Sequence, residues 1–124
     1  MRKTPTDILL EVAGLDGDGH GRATHNNREV KIKAALPGEA VTARILRKRR
    51  GQLLAEALEV SSPHDQRRRA PCVHFPRCGG CVLQHLDYPA QLEFKQQQLT
   101  DALATHAVTP EALRLPVSGP RLGY

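Results

Sequence analysis

Leu36-Pro37-Gly38-Glu39-Ala40-Val41-Thr42-Ala43-Arg44-Ile45 is the stretch on which the fold turns. Pro37-Gly38 is among the strongest turn signals available, and the residues that follow alternate, with Val41, Ala43 and Ile45 apolar and Thr42 and Arg44 polar. That period of two belongs to a half-buried strand. A basic tip, Arg47-Lys48-Arg49-Arg50-Gly51-Gln52, then leads into Leu54, Glu56, Leu58 and Val60 as a second strand.

Toward the N-terminus the same pattern repeats in shorter pieces. Ile8-Leu9-Leu10-Glu11-Val12 reads as a strand, closed by the loop Gly14 to Gly21, whose four glycines in eight positions exclude a helix. Arg22–His25 and Arg28–Ala34 flank Asn26-Asn27, which tolerates the left-handed backbone of a tight hairpin, and Val30, Ile32 and Ala34 alternate onto one face. About five short strands in roughly 55 residues, with no helical period, predict a small antiparallel barrel or sandwich. Within the glycine loop, Asp16-Gly17-Asp18-Gly19-His20-Gly21 lacks the third acidic pair and distal Glu of an EF-hand, and no helix follows its glycines. It reads as a β-turn.

Toward the C-terminus, residues 61–71 are polar, charged and bracketed by Pro63 and Pro71, as in a basic linker. Next comes Cys72-Val73-His74-Phe75-Pro76-Arg77-Cys78-Gly79-Gly80-Cys81-Val82-Leu83-Gln84-His85, which holds all three cysteines of the chain. Thiols at such short fixed spacing point to a metal site, since free they are open to oxidation. Gly79-Gly80 lets the loop turn tightly enough to aim two of them inward. Iron–sulfur clusters usually take four thiolates, and zinc takes four Cys or His ligands. Cys72, Cys78 and Cys81 with His74 or His85 would satisfy zinc, so spacing leaves both metals open. A helix follows, capped at Asp87 or Tyr88, with Pro89 near its first position and Leu92, Leu99, Leu103 and Ala107 on one stripe.

The chain of 124 residues has room for one ordinary domain and an appendage. Its net charge of +5 is confined to residues 1–71, with fourteen Lys/Arg against nine Asp/Glu; residues 72–124 carry four of each. Two basic runs, Arg47-Lys48-Arg49-Arg50 and Arg67-Arg68-Arg69, flank the β-region and suit a phosphate backbone. No apolar run approaches the roughly 20 residues that span a bilayer, and Met1-Arg2-Lys3-Thr4-Pro5 leads into no apolar signal segment. A cytoplasmic, monomeric protein with no membrane partner is expected. An odd number of cysteines in so short a stretch speaks against a disulfide framework. No nucleophile–base pair and no strand–glycine turn–helix unit for a nucleotide is present, so no catalytic residue is assigned.

Leu36-Pro37-Gly38-Glu39 with Val41, then Cys72…Cys78-Gly79-Gly80-Cys81-Val82-Leu83-Gln84-His85, then Tyr88…Gln91-Leu92…Lys95, resembles the N-terminal part of bacterial S-adenosylmethionine-dependent RNA (uracil-5-)-methyltransferases. The resemblance implies that residues 1–60 form a TRAM domain, a five-stranded OB-like barrel that binds RNA, with ribosomal RNA the expected partner. It implies a [4Fe–4S] cluster on Cys72, Cys78 and Cys81, the fourth cysteine lying further along the family's chains. It also implies that residues 72–124 run into a truncated central domain, and that the S-adenosylmethionine site and the catalytic residues sit in a C-terminal domain absent here. The expectation is therefore an α+β chain, mainly β, that is a fragment or truncated product of an rRNA-modifying enzyme. A free-standing, zinc-stabilised RNA-binding module is the alternative.

Overall fold

The computed structural model describes residues 7–123; the N-terminal pentapeptide discussed above and Tyr124 lie outside them. Six strands and one helix follow in order: β1 (Asp7–Glu11), β2 (Gly14–Leu15), β3 (Gly21–His25), β4 (Arg28–Lys33), β5 (Ala40–Arg49), β6 (Gln52–Val60) and α1 (Tyr88–Thr105). The strands form one sheet in the order β1-β5-β6-β4-β3-β2. All neighbours are antiparallel except β4 and β6, which run parallel from Val30↔Leu53 to Lys33↔Glu56.

The two outermost strands are successive segments of one stretch, residues 7–15. Val12 is the crossover. Its N–H donates to Glu39 O at 2.9 Å and its carbonyl accepts from Gly38 N–H at 2.8 Å, extending the β1–β5 ladder, while Ala13 N–H already donates to Arg22 O at 2.8 Å on the β3 side. One bent strand thus serves both ends of the sheet, curling it into an OB-like barrel. The strand expected over residues 8–12 is β1, and β2 forms within the stretch expected to be loop, because the chain changes partner at Val12 and Ala13.

Local chemistry fixes the turns. Asn26 and Asn27 have φ of 50° and 61°, the paired left-handed residues of a two-residue hairpin. Leu36–Glu39 is a turn with Pro37 at its second position and Gly38, at φ 78°, at its third, where a side chain would be strained. Val30 and Ile32 enter the core as the alternation predicts, but Ala34 does not. Its φ of 62° ends β4 at Lys33 and swings Ala35 and Leu36 inward instead.

The core is aliphatic: Leu10, Val12, Ala23, Val30, Ile32, Ala35, Val41, Ala43, Leu53 and Ala55. Two β-bulges interrupt β5–β6, and each extrudes a leucine: Leu58 between the pairs Thr42↔Glu59 and Ala43↔Ala57, Leu46 between Ile45↔Ala55 and Arg47↔Leu54. They are 42% and 45% exposed, since each extra residue is displaced from the ladder. Gly21 is required by packing. A Cβ there would stand 2.7 Å from Ala35 Cβ and 3.1 Å from Val12 Cγ1, both in the core. Gly21→Ala is expected to cost about 2 kcal/mol of unfolding free energy by overpacking, read from urea denaturation; a cost near zero would show that Ala35 can yield.

The chain divides into two compact units, residues 1–86 and 87–124. The cysteine segment belongs to the first, with the barrel. In the second, α1 begins after Asp87 with Pro89 in its first turn and ends at His106, where Ala107 turns left-handed at φ 56°. Arg121 stacks over the Tyr88 ring at 4.8 Å, while Leu99 is 53% exposed. Among the described residues no helix is long and apolar enough to cross a membrane.

Candidate functional site

Two features of the first unit carry chemistry, the β5–β6 tip and the segment from His64 to Leu86. At the tip, Arg50 and Gly51 take φ of 51° and 79° and close a two-residue hairpin. Arg47 pairs across with Leu54, Lys48 with Leu53 and Arg49 with Gln52. Arg47, Lys48, Arg49 and Arg50 are all exposed, and among the described residues none is paired with a carboxylate. Three cations thereby stand on one solvated ladder, with Arg50 in the turn that closes it.

The second basic run is used differently. Arg67 Nε donates to Glu39 Oε2 at 2.7 Å, and its Nη2 donates to Glu39 Oε1 at 2.8 Å and to the Ala34 carbonyl at 2.6 Å. Glu39 is 0% exposed and also accepts from the backbone N–H of Leu36 (2.6 Å) and His64 (3.0 Å). Burial pushes its carboxyl up, but Arg67 and the two N–H groups outweigh that and hold it below the usual carboxylate range. Arg68 donates from Nε to Gln84 O at 3.0 Å and from its backbone N–H to His85 O at 2.9 Å. Arg69 is exposed. The stretch read as a linker is thus hydrogen-bonded to the barrel through Arg67, and only Arg69 of its three arginines has a solvent-facing side chain without such bonds.

Glu39 was legible as an anomaly. It shares the parity of Val41, Ala43 and Ile45, so the strand aims it at the core, and a carboxylate there requires a partner. Nothing in the run Arg67-Arg68-Arg69 shows which arginine supplies it.

The cysteine segment rests on the barrel through His85, which is 2% exposed. Its Nε2 lies 3.3 Å from the Ala35 carbonyl, and its ring stacks on Phe75 at 5.1 Å between centroids. Burial lowers its pKa to about 4, so the ring is neutral at pH 7, with Nε2 donating and Nδ1 without a partner among the described residues. The barrel also approaches this segment at Gly19, where a Cβ would stand 3.2 Å from Val82 Cγ1.

Cys72, Cys78 and Cys81 are free thiols, the first and third partly buried and Cys78 exposed. Gly79 has open space around it, and a Cβ on Gly80 would meet only Cys78 Sγ, at 3.5 Å. The donor set and the uncrowded turn fit an iron–sulfur cluster. A zinc ion completed by a histidine would use the same thiols, and among the described residues no three of these groups stand with their ligand atoms within 4.8 Å of one another. Among the described residues the group that does meet that distance is Asp16, Asp18 and His20. Lys31 Nζ already offsets half of its charge, 2.6 Å from Asp18 and 3.5 Å from Asp16, and Asp16 Oδ1 accepts from the N–H of Asp18 and His20 as a turn does.

A scan against models of protein families finds no match. The 23S rRNA (uracil(1939)-C(5))-methyltransferase RlmD of Pseudomonas putida is 45% identical over 117 residues, covering 93% of this chain and 26% of the relative. The protein of the same name from Acidithiobacillus ferrooxidans is 40% identical over 121 residues, covering 97% of this chain and 27% of the relative. That of Alkalilimnicola ehrlichii is 39% identical over 125 residues, covering 99% and 28%. The chain therefore spans about a quarter of the length of the curated relatives it matches. Nearly every residue of it aligns, from the barrel through the cysteine string and helix, and the chain accordingly belongs, as an N-terminal part, to the bacterial RNA (uracil-5-)-methyltransferases.

Proposed function

We propose that this chain is the RNA-gripping and cluster-carrying portion of an RNA (uracil-5-)-methyltransferase acting on ribosomal RNA in the cytoplasm. The observation that carries the reading is the 45% identity over 93% of the chain to a protein named for that activity. The barrel is read as a TRAM domain. Arg47, Lys48, Arg49 and Arg50 contact phosphates through a preformed hairpin, joined by Arg69; Arg67 and Arg68 serve chiefly to seat the cysteine segment. Cys72, Cys78 and Cys81 would hold a [4Fe–4S] cluster with a fourth ligand from outside this chain. When bound, the cluster supplies iron–thiolate bonds that cross-link a loop with few apolar contacts of its own. S-adenosylmethionine and the groups that transfer its methyl belong to parts of the enzyme beyond these residues.

The test is the salt dependence of binding to a labelled rRNA fragment, measured by fluorescence anisotropy. Affinity is expected to fall steeply with salt, and changing all four residues from Arg47 to Arg50 to alanine is expected to lower it about tenfold and flatten the log–log slope by about 3. Affinity indifferent to salt, or to the fourfold change, would refute the role given to the tip.

A further inference from the structure

The N–H of Cys72 donates to Gln84 Oε1 at 3.2 Å, across twelve residues of chain. Gln84 is itself buried and held from behind, because Arg68 binds both its carbonyl and that of His85. His85 is in turn fixed to Ala35 of the barrel. The acceptor that meets Cys72 is therefore on the most firmly anchored part of the segment, three positions beyond Cys81. Cys78 is set separately, its N–H donating to His74 O at 2.9 Å within the loop.

We propose that Gln84 is a positioning residue for Cys72: its side-chain oxygen pins the arm bearing the first thiol to the arm bearing the third. Without that bond, Cys72 keeps only the hydrogen bond its carbonyl accepts from Phe75 N–H at 3.2 Å within the loop, between an exposed Pro71 and an exposed Val73. Its thiol then samples many positions, and the effective concentration it presents to a metal held by Cys78 and Cys81 falls. The proposal rests on the cluster reading given above for what the three thiols hold, but the bond itself can be tested without metal.

Two variants of the full 124-residue chain separate acceptor from bulk. Gln84→Leu keeps the size and removes the acceptor, whereas Gln84→Glu keeps an acceptor. In the metal-free proteins, alkylation by iodoacetamide is followed at each cysteine by mass spectrometry. Cys72 is expected to react roughly fivefold faster in Gln84→Leu, the factor that loss of one neutral hydrogen bond brings, with Cys78 unchanged and Gln84→Glu close to the parent. After anaerobic reconstitution with iron, sulfide and a small external thiol, Gln84→Leu is expected to lose iron to a chelator roughly fivefold faster than the parent or Gln84→Glu. Equal Cys72 reactivity in all three proteins overturns the proposal. So does equal acceleration of all three cysteines, which marks general unfolding, or failure of Gln84→Glu to rescue. A parent chain that takes up no iron at all overturns the cluster reading, while the alkylation pattern still decides the role of Gln84.

Discussion

Arg67→Ala is expected to remove about 3 kcal/mol from the stability of the 1–86 unit, measured by chemical denaturation followed by circular dichroism. Glu39 is wholly buried, and removing one partner of a buried ion pair leaves an uncompensated charge, which typically costs 3–5 kcal/mol. The low end applies because the Arg67 side chain is 22% exposed, so water reaches part of the gap. Two of the four Glu39 hydrogen bonds come from backbone N–H groups that remain, and they too soften the loss. Replacing both residues with apolar ones is expected to be less harmful than Arg67→Ala alone, though not neutral, because the buried Leu36 N–H is then left without an acceptor. Arg69→Ala supplies the contrast, with stability unchanged within about 0.5 kcal/mol and RNA affinity reduced. If Arg67→Ala instead spares stability and lowers only RNA affinity, the basic run is a uniform phosphate-binding strip and the pairing with Glu39 is incidental.

The second large effect is on pH dependence. His85 has its pKa lowered from 6.5 to about 4, first by burial; the Ala35 carbonyl raises it, nearby Arg67 lowers it, and Glu39 and His20 act in opposite directions. A base whose folded pKa lies below its unfolded one contributes fully above the unfolded value. Its contribution is lost as pH falls from 6.5 toward 4, because the unfolded chain takes up the proton first. A displacement of this size corresponds to about 3 kcal/mol over that window. Carboxylates of the unfolded chain begin to take up protons at its lower end, so the informative quantity is the difference between the parent and His85→Phe. Phenylalanine keeps a ring against Phe75 and cannot be protonated. The variant is expected to be less stable at pH 7, where the bond to Ala35 is lost, but to fall off more gently between pH 6.5 and 4.5. Parallel stability curves for the two proteins would show that His85 gains its proton without leaving its site.

How much of this was legible beforehand follows from the range over which each signal acts. The hairpin at Asn26-Asn27, the turn at Pro37-Gly38 and the alternation of Val41, Ala43 and Ile45 are local chemistry, and each stands where the sequence places it. The partner change at Val12 and the parallel contact of β4 with β6 are properties of closure, which no window of neighbouring residues encodes. The bulges were hidden because Leu46 and Leu58 look like core residues until the cross-strand register is known. Glu39 announced a buried charge by its parity, but its partner came from a run of three identical side chains. At the cysteine loop the residue types were plain. What could not be seen was that His85, there a candidate zinc ligand, seats that loop on the barrel, and that Gln84 ties the first cysteine back to the loop's far end.

The bent strand from Asp7 to Leu15 also imposes a schedule on the nascent chain. Its second half meets β3 almost at once, but its first half must wait for β5, and β4 must wait for β6. At about 5–20 residues per second, Leu9 and Leu10 leave the ribosome a few seconds ahead of their partners. The barrel can close only once Val60 has emerged, before Arg67 and His85 are available. Those two residues then arrive at a surface already made, and act as late fasteners for the cysteine segment, not as the seed of the fold.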